Sequence, residues 1–270
     1  MFYNAKNKRL SIDGSEMDYI AFGKGTKPLI MLPGLGDGLT TVKGKAIPFA
    51  IMYKELAKRY RVYCFSRKNA LENDADTRSM ANDTAKAMQL LGIENAHVLG
   101  VSMGGMIAQY LAIDHPETVD RLILTVTAPQ AGEQIINAVG RWIEMADNND
   151  HRSLMIDNVE AIYTESYIKK KHYRAFYPLL AHIGKPKSYE RFIIQANACI
   201  THNASDLLPS ITAETLIINA AQDKVIDEFA PYKLNSLIKG SQLKIYEDLG
   251  HGAYEESKDF IPDIIKFLEK

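Results

Sequence analysis

Residues 96–105 read Ala96-His97-Val98-Leu99-Gly100-Val101-Ser102-Met103-Gly104-Gly105, an apolar run that closes on glycines spaced around one serine. The run AHVLGV has the unbroken hydrophobicity of a strand covered on both faces. The GMIAQYLA that follows has helical character, and Pro116 stands just past the close of that helix. Gly-x-Ser-x-Gly between a strand and a helix describes a very sharp turn. The serine at its apex adopts strained backbone angles, and the residues two before and two after crowd together, so only small ones fit at 100 and 104. Such a turn lifts the Ser102 hydroxyl above a sheet edge, at a helix N-terminus whose dipole and free N–H groups favour negative charge. The bland alternative is a glycine-rich strand-to-helix turn with an incidental N-capping serine.

Outward from this turn, short apolar runs alternate with helix-period segments, the pattern of parallel strands joined by helical crossovers. Strands are expected at 17–22, 28–32, 61–65, 96–101, 121–127, 214–219 and 242–247, and helices near 77–92, 103–114, 226–239 and 257–269. Between 128 and 209 there is no convincing strand but several helix-period runs, such as IINAVGRWIEMA and YERFIIQANACI. That length is too great for a bare loop. The expectation is an α/β core of residues 1–127 and 210–270, with a mostly parallel sheet flanked by helices and a helical cap inserted over 128–209. Most aromatics of the insertion, Trp142 and Tyr163 among them, read as core, with a few left over to line a pocket.

Composition narrows the function classes. A net charge of −1 argues against a polyanion partner, and 46% hydrophobic residues against disorder. No run approaches the roughly 20 apolar residues that cross a bilayer, and the polar N-terminus has no apolar signal core. Two cysteines, Cys64 and Cys199, stand far apart, which disfavours a disulfide framework and a cysteine zinc site. The expected setting is cytoplasmic, with neither nucleic acid nor membrane as a partner. The residues carry no signal for oligomeric state.

A serine hydroxyl needs a base to attack at neutral pH, and the base needs an orienting acid. Of seven histidines, His97 lies inside a strand and His115 at a helix end; His151, His172, His182 and His202 sit among polar neighbours in the insertion and read as surface residues. His251 differs: it follows the last strand in Asp248-Leu249-Gly250-His251-Gly252, at the carboxyl edge where ligand-facing residues of open α/β sheets gather. Asp223 lies a few residues past the strand ETLIIN, on the same rim. Asp227 reads as a carboxylate in the first turn of the next helix, Asp248 as a turn residue, and Glu133 as too far along.

The order Ser102, Asp223, His251, together with the Ser102 turn, resembles the α/β-hydrolase family over essentially the whole chain. The GVSMGG turn is similar to those of carboxylesterases and enol-lactonases. The resemblance implies that Ser102, Asp223 and His251 form a metal-independent, cofactor-free catalytic triad acting on a small ester or lactone. It also implies that the backbone N–H groups of Leu35 and Met103 form the oxyanion hole. Acyltransferase, perhydrolase and C–C bond hydrolase chemistry use the same triad and stay open, as does a ligand-binding protein without turnover. Aspartate-dependent dehalogenases and epoxide hydrolases do not fit a serine here. A dinucleotide fingerprint at Gly34-x-Gly36 lacks its third glycine, since Leu39 stands there. Two departures stand out. Pro33-Gly34 replaces the family's frequent His-Gly, and Ser66-Arg67-Lys68-Asn69-Ala70 lacks the usual glycines. Arg67 and Lys68 are expected on a solvated loop, with an anionic substrate as their alternative partner.

Overall fold

The computed structural model describes residues 2–270. Strands β1 (Lys6–Ile12) and β2 (Ser15–Phe22) form a hairpin closed by Asp13-Gly14. Both turn residues have positive φ, 49° and 77°, which matches the twist of the flanking strands. β1 escaped the sequence reading because only its Ile12 is buried, so it carries no apolar run. The chain continues through β3 (Pro28–Leu32), α1 (Ala46–Met52), α2 (Lys54–Arg59), β4 (Arg61–Lys68), α3 (Thr77–Leu90), β5 (Ala96–Val101), α4 (Met103–Asp114) and β6 (Val119–Thr125). Helices α1 and α2 were also unforeseen.

Five helices then intervene: α5 (Glu133–Asp147), α6 (His151–Ile162), α7 (Glu165–Lys170), α8 (Tyr173–Leu180) and α9 (Glu190–Ile200). The chain returns to the sheet with β7 (Glu214–Ala220) and ends with α10 (Ala230–Leu237), β8 (Gln242–Tyr246), α11 (Ala253–Glu256) and α12 (Phe260–Leu268). α10 starts later than expected, so Asp227 precedes it; its Oδ1 accepts from the N–H of Gln134, 3.3 Å away in the first turn of α5.

The eight strands run in the order β1-β2-β4-β3-β5-β6-β7-β8. Only the β1–β2 and β2–β4 pairs are antiparallel, and every pairing from β4 to β8 is parallel. Strand parity divides the core between the two faces. Ile30, Leu32, Val98 and Leu122 pack with α3 and α4 residues such as Met80, Met88 and Ile107. Leu29, Met31, Leu99 and Ile123 pack with Ala50, Leu56, Phe260 and Ile264 from α1, α2 and α12. Both faces are thus covered, which is why the inner strands read as continuous apolar runs. Among the described residues no helix is long and apolar enough to cross a membrane.

Candidate active site

The backbone at Ser102 has φ 54° and ψ −120°, a conformation that costs a side-chain-bearing residue about 1–3 kcal/mol. Neighbouring bonds hold it there. The Ser102 N–H donates to the Thr125 carbonyl of β6 at 2.9 Å, and its own carbonyl accepts from Gly105 N–H at 2.8 Å as α4 begins. The flanking glycines are required by space. A Cβ on Gly104 would collide with the Leu32 carbonyl, and one on Gly100 with the Gly104 carbonyl.

Three strand ends converge on this serine. Ser102 follows β5, Asp223 follows β7, and His251 follows β8, all at the carboxyl edge of the parallel sheet. His251 Nε2 lies 3.0 Å from Ser102 Oγ, and His251 Nδ1 lies 2.8 Å from Asp223 Oδ2. The other Asp223 oxygen accepts from the N–H groups of Val225 and Ile226 at 2.8 and 2.9 Å, which fixes the carboxylate plane. The His251 and Asp223 side chains are only 6% and 3% exposed, so little water competes for these bonds.

The loop after β3 lies against the same serine. A Cβ on Gly34 would sit 3.4 Å from Ser102 Cβ and 3.9 Å from its Oγ. Leu35 opens a short 3₁₀ turn (Leu35–Gly38) and Met103 opens α4. As first residues, neither has a partner for its N–H within its own element.

Buried charge props this loop from behind. Asp37 Oδ2 pairs with Arg191 Nη2 of α9 at 2.6 Å and accepts from the Arg67 N–H at 3.0 Å, while the Arg67 guanidinium donates to the Pro33 carbonyl. Burial alone would raise the Asp37 carboxyl, but Arg191 and Arg67 outweigh it and hold the group below its usual range. The solvated loop expected at 66–70 is therefore corrected: the Arg67 side chain is 4% exposed, and Lys68 pairs with Asp83 at 3.3 Å. Neither cation is free to meet an anionic substrate.

Two further corrections concern the insertion, where His151 and His202 are buried rather than on the surface. His202 sits between Thr77 Oγ1 at 2.9 Å and Gln109 Oε1 at 3.4 Å, and burial pushes its pKa down to about 4. His151 Nε2 meets the Ile183 carbonyl at 2.8 Å. His97 is buried in β5, edge-on to Tyr60. Among the described residues no three His, Cys, Asp or Glu side chains cluster as a metal would need.

Ser102 and His251 open into a cavity of about 890 Å³. Its walls are largely apolar: Phe49, Met52 and Tyr53 from the core side, Trp142, Val159 and Tyr163 from the insertion. The insertion also grips the site. The Ile162 carbonyl at the end of α6 accepts from the Gly252 N–H at 2.7 Å, and the Glu160 carbonyl accepts from Lys224 at 3.0 Å. The sequence has no local signal for either contact.

Comparison with known proteins agrees with this architecture. A family model described as alpha/beta hydrolase fold matches residues 27–258. A 2-hydroxy-6-oxononadienedioate/2-hydroxy-6-oxononatrienedioate hydrolase of Pseudomonas putida is 25% identical over 268 residues, covering 94% of this chain and 92% of that protein. Among solved structures, MGS-M2, an alpha/beta hydrolase enzyme from a Medee basin deep-sea metagenome library, superposes with a TM-score of 0.85 at 17% identity, covering 97% of this chain and 98% of that one. The enol-lactonase from Burkholderia xenovorans LB400 superposes with a TM-score of 0.82 at 20% identity, covering 97% of this chain and 100% of that one. Both structural likenesses are of fold.

Proposed function

Because the chain belongs to the α/β-hydrolase fold family, we propose that it hydrolyses carboxylic esters or lactones through an acyl-enzyme on Ser102. The observation that carries this reading is the unbroken line from Asp223 through His251 to the Ser102 hydroxyl, at the floor of an apolar cavity. Ser102 Oγ attacks the carbonyl carbon while His251 Nε2 takes its proton, and Asp223 stabilises the imidazolium through Nδ1–H. The oxyanion is received by the N–H groups of Leu35 and Met103. Collapse breaks the C–O bond, and His251 returns the proton to the leaving alkoxide, which in a lactone stays tethered. Water then adds to the acyl carbon, giving its proton to His251, and Ser102 departs as the alcohol.

The enol-lactonase likeness and the relative named as an oxo-dioate hydrolase favour hydrolysis over other uses of the fold. The apolar walls suit the acyl or ring portion of a small substrate, in the size range of ordinary ligand sites. In this reading residues 128–209 cap a core of 1–127 and 210–270.

The test is a panel of activated esters and lactones of graded acyl length, run on the wild type and on Ser102→Ala. A burst of leaving group from the wild type and none from the variant is expected; equal turnover by both would overturn the assignment. Partition of the acyl group between water and an added alcohol separates hydrolase from acyltransferase. Saturable ligand binding without any burst would mark a binding protein instead.

A further inference from the structure

Residues 166–189 contain six cations (Lys169, Lys170, Lys171, Arg174, Lys185 and Lys187) and no Asp or Glu, in a chain whose net charge is −1. Lys169 and Arg174 are paired with Glu165 and Glu160, but Lys170, Lys171, Lys185 and Lys187 are exposed and, among the described residues, have no carboxylate partner. The same stretch forms α8, a helix none of whose residues is buried. Phe176 and Leu179, three apart, share one side of it, and Ile183 follows in the turn after the helix. Across the cavity, α1 turns Ala46 and Ala50 inward and leaves Ile47, Ile51 and Met52 outward. These six apolar side chains are each 45–54% exposed. Met52 and Ile183 also line the cavity, as does exposed Lys43, so each of the two apolar sets has a residue at the cavity.

We infer that this face seats the protein on an anionic lipid surface, with the cavity mouth turned toward the bilayer. Exposed apolar side chains on two short helices and the turn after one of them, with unpaired lysines in the same stretch of chain, are what an anionic interface takes up: the hydrophobic tips enter the headgroup region and the ammonium groups stay among the phosphates. A second copy of the chain fits less well, because a two-fold contact would set the same cationic run against itself. The expectation of no membrane partner rested on the lack of a spanning run, which bears on spanning alone. The inference does not depend on the chemistry assigned to Ser102.

The test uses full-length Ser102→Ala protein, so that lipid turnover cannot confuse binding. It is sedimented with vesicles of phosphatidylcholine alone or mixed with phosphatidylglycerol. Binding to the mixed vesicles only, weakening as salt is raised, is expected. Reversing Lys170, Lys171, Lys185 and Lys187 to Glu should lower that partitioning by roughly 100-fold or more. Phe176→Ser with Leu179→Ser should lower it at fixed charge. Circular dichroism and, in the Ser102 background, short-ester turnover check that the variants are folded. No binding to either vesicle, equal binding to both, or wild-type binding by the charge-reversed variant would overturn the inference. So would a dimer in solution that the Phe176/Leu179 variant converts to monomer while vesicles stay unbound.

Discussion

Replacing Arg191 by Met tests whether the loop bearing Leu35 is held by buried charge. Arg191 meets Asp37 at 2.6 Å, where the carboxylate is 1% exposed, and also donates to the Lys68 and Arg67 carbonyls, each at 3.0 Å. In the variant Asp37 keeps the Arg67 N–H at 3.0 Å and a guanidinium at 4.0 Å, too long to replace what is lost. Removing one partner of a buried pair costs about 3–5 kcal/mol, and the residual Arg67 contacts place this case near 3. For a domain of this size that is a drop in Tm of about 6–12 °C at neutral pH. The pH dependence carries the sharper claim. The Asp37 carboxyl is held below its ordinary 3.8 in the folded protein, so its stabilisation is present above that value and fades as pH falls further. In the variant burial is no longer opposed by Arg191, so its Asp37 takes up a proton at higher pH. The gap between the two melting curves should therefore narrow on acidification toward pH ~4 and below. Calorimetric scans from pH 7 to pH 3.5 would read it. A loss under ~1 kcal/mol, or a gap that stays constant across that range, would refute the reasoning.

Three other outcomes follow from the same geometry. Asp223→Asn should leave the fold intact but lower kcat on an activated ester by about 10⁴-fold, because the amide favours the wrong imidazole tautomer; unchanged kcat would assign another acid. Gly104→Ala drives a methyl into the Leu32 carbonyl and should cost at least ~2 kcal/mol in denaturant unfolding, whereas a neutral result would mean the turn is looser than drawn. His202, held to about 4 against an ordinary 6.5, takes its proton less readily folded than unfolded, so stability falls as pH drops through that window. In His202→Gln the slope of Tm against pH between those values should be shallower, and an unaltered slope would assign the titration elsewhere.

What the sequence discloses about this molecule follows the range of the forces involved. Gly100 answers a clash with Gly104 and Gly105, a few residues on, so the sharp turn at Ser102 is legible in one line of text, although what crowds Gly104 itself is the Leu32 carbonyl of a distant strand. Asp223 and His251 are legible because parallel strands deliver their carboxyl ends to one rim whatever else the chain does. By contrast, β1 presents almost all its side chains to solvent, and its strand character comes from pairing with β2 rather than from its own pattern. Arg67 and His202 read as solvent-facing from their sequence neighbours, yet the groups that bury them, Asp37 and Thr77, are 30 and 125 positions away. The cavity wall escapes for the same reason, since it depends on how helices of the insertion settle over the core.

That settling reaches beyond the shape of the cavity. Four residues at the end of α6 and in the turn after it tether the segments that carry the proposed acid and base. Ile162 and Glu160 offer carbonyls to Gly252 and Lys224, Tyr163 donates to Glu255 at 2.7 Å, and Thr164 Oγ1 donates to Glu256 at 2.6 Å. Gly252 adjoins His251, and Lys224 adjoins Asp223, so a displacement of α6 is passed to both partners of the His251–Asp223 hydrogen bond. A bond of 3.0 Å to Ser102 Oγ tolerates little of this before its geometry weakens. Substitutions in the insertion that loosen α6 should therefore depress kcat as well as alter which acyl groups fit. A segment that only covered the cavity would change KM and leave kcat alone.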